Sequence, residues 1–64
     1  RVLVARSTDA ESLTGRAVVH FFSERWEASV ADLEAAARID PGWAAHYRGM
    51  LEEARRRLAA ERGK

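Results

Sequence analysis

The chain of 64 residues contains no cysteine, a single proline and four glycines. The lack of cysteine excludes disulfides and thiolate metal sites, which are two of the means by which small domains are stabilised. A chain of this length buries a modest share of its surface and is marginally stable alone. We therefore expect either unusually close packing of its elements or stabilisation from outside the chain, as in a subunit of a larger assembly.

No charge of one sign dominates, since 11 basic residues face 10 acidic ones. Dedicated nucleic-acid and membrane-surface binders carry a clear basic excess, which is absent here. No apolar run approaches the roughly 20 residues of a membrane span. The sequence shows no targeting signal, so we expect a soluble chain and assign no compartment. Because the first residue is Arg1 and not Met, we expect a piece of a longer protein.

Alanine, arginine, glutamate and leucine make up much of the remainder, and these residues favour helices. We predict an all-α fold in one small unit, 1–64, with helices that open at Thr8, near Glu24 and near Gly42. Thr8 and Glu11 match a capping box, in which each side chain bonds a free amide of the first turn. The apolar run 17–22 is also compatible with a strand, but the preceding cap favours helix. Residues 1–7 are either a strand, an extended arm or the end of a preceding element.

The dipeptide Asp40-Pro41 predicts a boundary between the second and third helices. The residue before a proline is pushed out of the helical conformation, so the second helix, about 24–38, should end there. Asp40 is also a good N-cap, and Pro41 suits the first helical position. The third helix is expected over about 42–62.

Apolar residues recur at helical spacing and predict which faces are buried. In the first helix these residues are Leu13, Ala17 and either His20 or Phe21. In the second helix they are Trp26, Val30, Leu33 and Ala37, and in the third Trp43, Tyr47, Met50, Leu51, Ala54 and Leu58. We expect Trp26 and Trp43 to anchor a core between the second and third helices. Glu52–Arg56 and Glu53–Arg57 are expected to pair along the exposed face of the third helix.

The stretch 26–41 resembles the second helix of a tetratricopeptide repeat, a 34-residue helical hairpin. Trp26 takes the position of the aromatic residue that opens that helix. Leu33 and Ala36 match the large and small core positions, and Ile39-Asp40-Pro41 resembles the Leu-Asp-Pro ending.

Counting back from Pro41, one repeat would begin near Thr8 to Ala10, so the hairpin would span 8–41. The positions that resemble the family are Leu13 for the early Trp or Leu, Ala17 and Ser29 for the small residues of the helix crossing, and His20 for the usual Tyr. Two positions depart from the pattern, because Arg16 replaces an apolar residue and Glu24 replaces a frequent glycine. Segment 42–62 would then be the first helix of a next repeat or a trailing, capping helix.

The resemblance implies a non-catalytic module that binds another protein or peptide, or a small helical subunit of a larger assembly. It places the concave, partner-facing positions at Glu11, Thr14, Val18, Phe21 and Phe22. Adjacent residues on a helix point about 100° apart, so Phe21 and Phe22 do not both face one core. The alternative is that these two rings pack against a neighbour outside the chain.

No pattern in the sequence indicates catalysis, a cofactor or a metal. His20 and His46 lie far apart and lack the spacing of zinc ligands. No serine lies in a nucleophile turn and no glycine loop suits a phosphate, so we expect that the chain is not an enzyme. The run Arg55 to Arg57 is flanked by Glu52, Glu53 and Glu61 and lacks aromatic neighbours, which favours a solvated, salt-bridged face.

A DNA-binding helix-turn-helix is the alternative function. It would place the turn at 39–42 and use the third helix for recognition. Gly42 comes too late for the sharp bend of such a turn. Trp43 and Tyr47 also look like core residues, so we favour the protein-binding interpretation.

Overall fold

The computed structural model describes the backbone of residues 2–63 and the side chains of residues 9–63. All regular structure in this range is helical, which confirms the all-α prediction. The elements are α1 (Val2–Phe22), α2 (Trp26–Ile39), α3 (Pro41–Ala44), a 3₁₀ turn (Ala45–Tyr47) and α4 (Arg48–Arg62).

The predicted start of the first helix at Thr8 is wrong, because α1 begins at Val2. Residues 2–7 are therefore neither a strand nor an extended arm. No proline or glycine lies between Val2 and Thr8. Extending an existing helix costs much less than nucleating one, so nothing in this stretch stops α1 at the local cap pattern. The side chain of Thr8 lies outside the described residues.

A Schellman motif ends α1 and shifts the start of α2 from the expected Glu24 to Trp26. The amide of Arg25 donates to the carbonyl of His20 at 2.8 Å, and the amide of Glu24 donates to the carbonyl of Phe21 at 3.1 Å. Glu24 has a φ of 62°, the left-handed conformation that this motif requires. Glycine adopts this conformation at the lowest cost, whereas Glu24 adopts it with a Cβ atom.

The boundary predicted at Asp40-Pro41 is confirmed. α2 ends at Ile39, and Pro41 is the first residue of α3. The Asp40 carboxylate accepts a hydrogen bond from the amide of Trp43 at 3.1 Å, which is the expected N-cap contact.

The third helix is interrupted and not continuous over 42–62 as predicted. The 3₁₀ turn separates α3 from α4, and Tyr47 has φ −112° and ψ 16°, outside the helical region. A 3₁₀ stretch within a helix often marks a hinge or a strained sequence. Here α3 packs against α2 and also reaches α1, whereas α4 packs along α2. The spacing of apolar residues does not predict this break, because the break depends on which helices the two segments contact.

α1 and α2 form an antiparallel hairpin around a core of small side chains. The buried apolar residues are Ala10, Ala17, Trp26, Leu33, Ala36 and Ala54, and the buried polar residues are Thr14, Ser29 and Asp32. The Ser29 hydroxyl donates to the carbonyl of Ala17 at 3.1 Å, and both residues are fully buried. The small residues therefore let the two backbones approach closely, and the hydroxyl satisfies a carbonyl at the crossing.

The buried face of α2 is rotated from the predicted stripe. Ser29 and Ala36 lie in the core, whereas Val30 and Ala37 are half-buried at its edge. Three of the first helix's expected core residues, Leu13, His20 and Phe21, are likewise half-buried, and Ala17 is fully buried. The stripe of the third helix is buried only at Ala54. The hairpin therefore forms the core, and α4 covers one side of it.

Candidate functional site

Two large hydrophobic side chains are exposed among the described residues, and they lie one helical turn apart at the end of α1. Phe22 is 77% exposed and Val19 is 63% exposed. Residues three apart on a helix are neighbours on its surface. We call these two residues, with the half-buried Val18 and Phe21 beside them, the apolar corner.

Phe21 is the fixed part of the apolar corner. Its ring meets the Trp26 ring edge to face, with centroids 5.2 Å apart, and meets the Phe22 ring at 5.7 Å in the same way. Such aromatic pairs add to the stabilisation that comes from burial. Phe21 therefore packs within the chain, while Phe22 is held beside it and presented to solvent.

Trp26 belongs to the core and is not an exposed contact residue. Only 8% of its surface is exposed, and the Arg57 guanidinium lies 5.3 Å from the centroid of its ring. Arg57 also donates to Glu53 at 2.7 Å, and this bond is the largest cause that lowers the pKa of Glu53 below its ordinary value. Trp26 thus connects α1, α2 and α4 at the apolar corner and supports it from beneath.

The structure does not bring all five predicted partner-facing residues to the surface. Glu11 and Phe22 are exposed, Val18 and Phe21 are half-buried, and Thr14 is 1% exposed. The Thr14 hydroxyl donates to the carbonyl of Glu11 and accepts from the indole nitrogen of Trp43, both at 3.0 Å. Thr14 is therefore covered by α3 and does not contribute to an accessible surface.

Trp43, expected as a core anchor between the second and third helices, is half-buried, and its indole nitrogen bonds Thr14 of α1. A hydrogen bond between residues 29 positions apart leaves no local signal in the sequence. Val19 was missed as a surface residue for another reason. Val19 lies outside the groove positions that the resemblance implies. Its spacing of three residues from Phe22 nevertheless indicates that both lie on the same face of α1.

Arg16 stands where the resemblance leads us to expect an apolar residue. It forms a charged cluster across the hairpin. Its guanidinium donates to both carboxylate oxygens of Asp32 at 3.1 Å, and His20 Nε2 lies 3.6 Å from the same carboxylate. The Asp32 side chain is only 12% exposed, whereas that of Arg16 is 65% exposed. The hydrogen bond to Asp32 is the main cause that raises the pKa of Arg16. A buried carboxylate is thus paired from the surface, and α1 and α2 are held in register.

The pairs expected along α4 are formed in part. Glu53 bonds both Arg57 and Arg56, so Arg56 does not pair with Glu52. Arg55 donates to Glu34 of α2 at 2.6 Å. Two of the three consecutive arginines therefore neutralise a single carboxylate, and the third joins α4 to α2.

Within residues 9–63, no group of three His, Asp or Glu side chains is placed to hold a metal ion. His20 faces Asp32, and His46 lies exposed with Nδ1 3.2 Å from the carbonyl of Trp43. No helix in the described part of the chain is both long and apolar enough to cross a membrane.

No protein-family model, curated protein or solved structure matches the chain.

Proposed function

We propose that the chain is a non-catalytic helical module that binds another polypeptide through the apolar corner. The observation that carries this proposal is the exposure of Phe22 and Val19 side by side on a helix end. Aromatic side chains are preferred anchors of protein interfaces, and exposed apolar patches mark surfaces of association. The Phe21 ring, which packs against the buried Trp26, holds Phe22 in place and so lowers the entropy lost on binding.

The resemblance to a tetratricopeptide repeat supports a protein-binding role. The positions that it assigns to the helix crossing, Ala17 and Ser29, are fully buried and in contact. Leu33 and Ala36, which it assigns to the core, are also buried. We propose a tetratricopeptide-like hairpin over α1 and α2, with α3 and α4 as a trailing, capping segment.

The alternative, a helix-turn-helix, finds less support. The helix that would enter the groove of DNA is broken by the 3₁₀ turn just after its start. Its first aromatic residue, Trp43, is bonded to Thr14 of α1. Arg55, Arg56 and Arg57 are paired with glutamates, which reduces the charge available for phosphates.

A selection experiment tests the apolar corner. Peptides selected from a random displayed library on the 64-residue chain would be titrated by calorimetry against the wild type and Phe22→Ala. We expect at least about a tenfold loss of affinity in Phe22→Ala, since a central aromatic contact commonly contributes that much. Because Phe22 is exposed and loses only its edge-to-face contact with Phe21, the melting temperature of Phe22→Ala should fall only slightly.

Arg38→Ala is the matched control, because Arg38 is exposed at the other end of α2. It should bind the selected peptides as the wild type does. Equal affinity of wild type and Phe22→Ala for every selected peptide would contradict the proposal. Binding of a random DNA duplex that weakens steeply as salt rises would instead favour the helix-turn-helix.

A further inference from the structure

The second half of α4 covers Trp26 but is itself largely exposed. Leu58 is half-buried, and the other residues of the stretch 55–62 are exposed. The side chain that lies over the Trp26 ring is that of Arg57, whose guanidinium is 5.3 Å from the ring centroid and whose side chain is 57% exposed. A solvated cation therefore covers one face of a large aromatic ring. We call residues 55–62 the α4 lid.

The α4 lid is held on α2 by weak contacts. Arg55–Glu34 and Arg62–Glu27 are ion pairs between exposed side chains, and such pairs contribute little net stability. The lid also leaves a shallow depression of about 430 Å³ against the first turns of α2, with Trp26, Ala28, Ala31 and Leu58 as its apolar lining residues. Segments with few buried contacts open locally at a low free-energy cost. The α4 lid therefore has the properties of a segment that opens while the hairpin stays folded.

The ring beneath the α4 lid belongs to the same aromatic cluster as the apolar corner. Phe21 contacts both Trp26 and Phe22, with ring centroids 5.2 Å and 5.7 Å apart. In the closed structure Phe22 is 77% exposed and Trp26 only 8%. Opening of the lid would remove Arg57 from Trp26 and leave the contact between Phe21 and Trp26 in place. The apolar corner would then extend onto a tryptophan, a residue type enriched among the hot spots of protein interfaces.

We infer that the α4 lid is an autoinhibitory element, which the polypeptide partner of the apolar corner displaces and replaces on the Trp26 ring. This inference rests on the proposed function, because it describes the regulation of that same site. An apolar side chain of the partner removes the ring face from water, whereas Arg57 keeps that face beside a hydrated charge. The partner thus binds the open form better than the closed form, which is the condition for a ligand to shift an equilibrium between two states.

Loosening of the lid and binding of the partner are linked with a definite sign. When the binding-competent form is the minor one, the apparent affinity is the intrinsic affinity multiplied by the fraction of that form. A substitution that loosens the lid away from the partner surface raises the open fraction and should tighten binding by the same factor. If the partner bound best to the closed form, the same substitution would weaken binding or leave it unchanged.

Peptides that were selected on the 64-residue chain and depend on Phe22 are the probes for the lid. They would be titrated by calorimetry against the wild type, Arg57→Gln and Glu34→Gln. Arg57→Gln removes the cation from Trp26, and Glu34→Gln removes the ionic partner of Arg55. Glu34 lies about 12 Å along α2 from Trp26, so its replacement acts on the lid and not on the bound peptide. We expect each variant to bind roughly two- to fivefold more tightly than the wild type.

Arg56→Gln is the matched control for Arg57→Gln. Arg56 is an exposed residue of the lid that bonds the same Glu53 carboxylate, but the guanidinium over Trp26 belongs to Arg57. The bond between Arg56 and Glu53 is internal to α4, so its loss leaves the contacts between the lid and α2 in place. Arg56→Gln should therefore bind the peptides as the wild type does. An equal gain in both variants would assign the effect to the net charge of α4 and would overturn the inference.

Hydrogen exchange with and without a saturating peptide gives the reciprocal measurement. Because linkage acts equally in both directions, a peptide that prefers the open form shifts the lid toward opening. A short helix that is detached from its neighbour frays, so the amides of 58–62 should exchange at least about threefold faster in the complex. Slower exchange of these amides in the complex would show that the peptide prefers the closed form, which overturns the inference.

The failure of the lid and the failure of the proposed function give different results. If no selected peptide depends on Phe22, the proposed function and the autoinhibitory lid are both overturned. If the peptides depend on Phe22 but bind Arg57→Gln and Glu34→Gln no more tightly than the wild type, the proposed function stands and only the lid is overturned.

Discussion

Glu24 is the non-glycine residue whose backbone has a positive φ in the described part of the chain. A left-handed conformation costs a residue with a Cβ atom roughly 1–2 kcal/mol, and glycine avoids most of that cost. We expect Glu24→Gly to raise the free energy of unfolding by about 0.5–1 kcal/mol, after the greater flexibility of glycine in the unfolded chain is subtracted. Denaturant titration followed by circular dichroism measures this change.

Glu24→Ala separates the backbone from the side chain. Alanine keeps the Cβ atom and hence the left-handed cost, so it should give no gain. An equal gain in both variants would show that the glutamate side chain, and not the conformation, destabilises the turn.

The charged cluster shows what a sequence pattern leaves out at the scale of a residue. Arg16 stands out in the sequence as a departure from an apolar position, and nothing local assigns it a partner. Asp32 lies 16 residues away, and the pair forms only when α1 and α2 take this register. The sequence therefore shows that Arg16 is unusual at its position. Its pairing with the buried Asp32 carboxylate can be recognised only in the packed hairpin.

Gly15 lies in the middle of α1, and its replacement is the prediction at the scale of an element. A Cβ atom at this position would have no neighbouring atom within 4 Å. Since glycine is about 1 kcal/mol less favourable than alanine inside a helix, Gly15→Ala should raise the free energy of unfolding by about that amount. Thermal unfolding of the variant and the wild type at equal concentration provides the comparison.

Gly63→Ala is the control for this substitution. Gly63 follows the end of α4, and a Cβ atom there would lie 3.3 Å from the carbonyl oxygen of Ala59. No gain is expected at this position. If Gly15→Ala left the melting temperature unchanged, α1 would not be formed through residue 15 in the folded state.

The element boundaries that could be predicted are those with a local cause. Asp40-Pro41 contains both the stop signal of α2 and the cap of α3, so the position of this boundary followed from two residues. The start of α1 at Val2 and the break at 45–47 have no such signal. The first reflects continued propagation of a helix, and the second reflects two contacts of the third helical segment with different neighbours. The candidate site could be predicted only in part. The sequence identified Phe22 as a surface residue, but it did not indicate that Thr14 is buried.

At the scale of the whole molecule, the structure is elongated, with principal-axis extents of 46 × 17 × 14 Å. Its radius of gyration is 12.0 Å, against about 11 Å for a compact protein of this length. The hairpin supplies most of the buried side chains, whereas α4 contributes only Ala54. The polar contacts from α4 to α2 are exposed ion pairs, Arg55–Glu34 at 2.6 Å and Arg62–Glu27 at 3.7 Å.

Exposed ion pairs contribute about 0–1 kcal/mol each and are weakened by salt. We therefore expect α4 to detach from the hairpin more readily than α1 and α2 separate. In native-state hydrogen exchange, the amides of α2 should exchange most slowly and those of α4 faster. Glu34→Gln, which removes the partner of Arg55, should speed exchange in α4 by up to about fivefold and leave α2 unchanged. If the amides of α2 and α4 exchanged equally slowly at low and at high salt, α1, α2 and α4 would unfold as one cooperative unit. The half-buried apolar residues of α4 would then stabilise the molecule more than their partial exposure indicates.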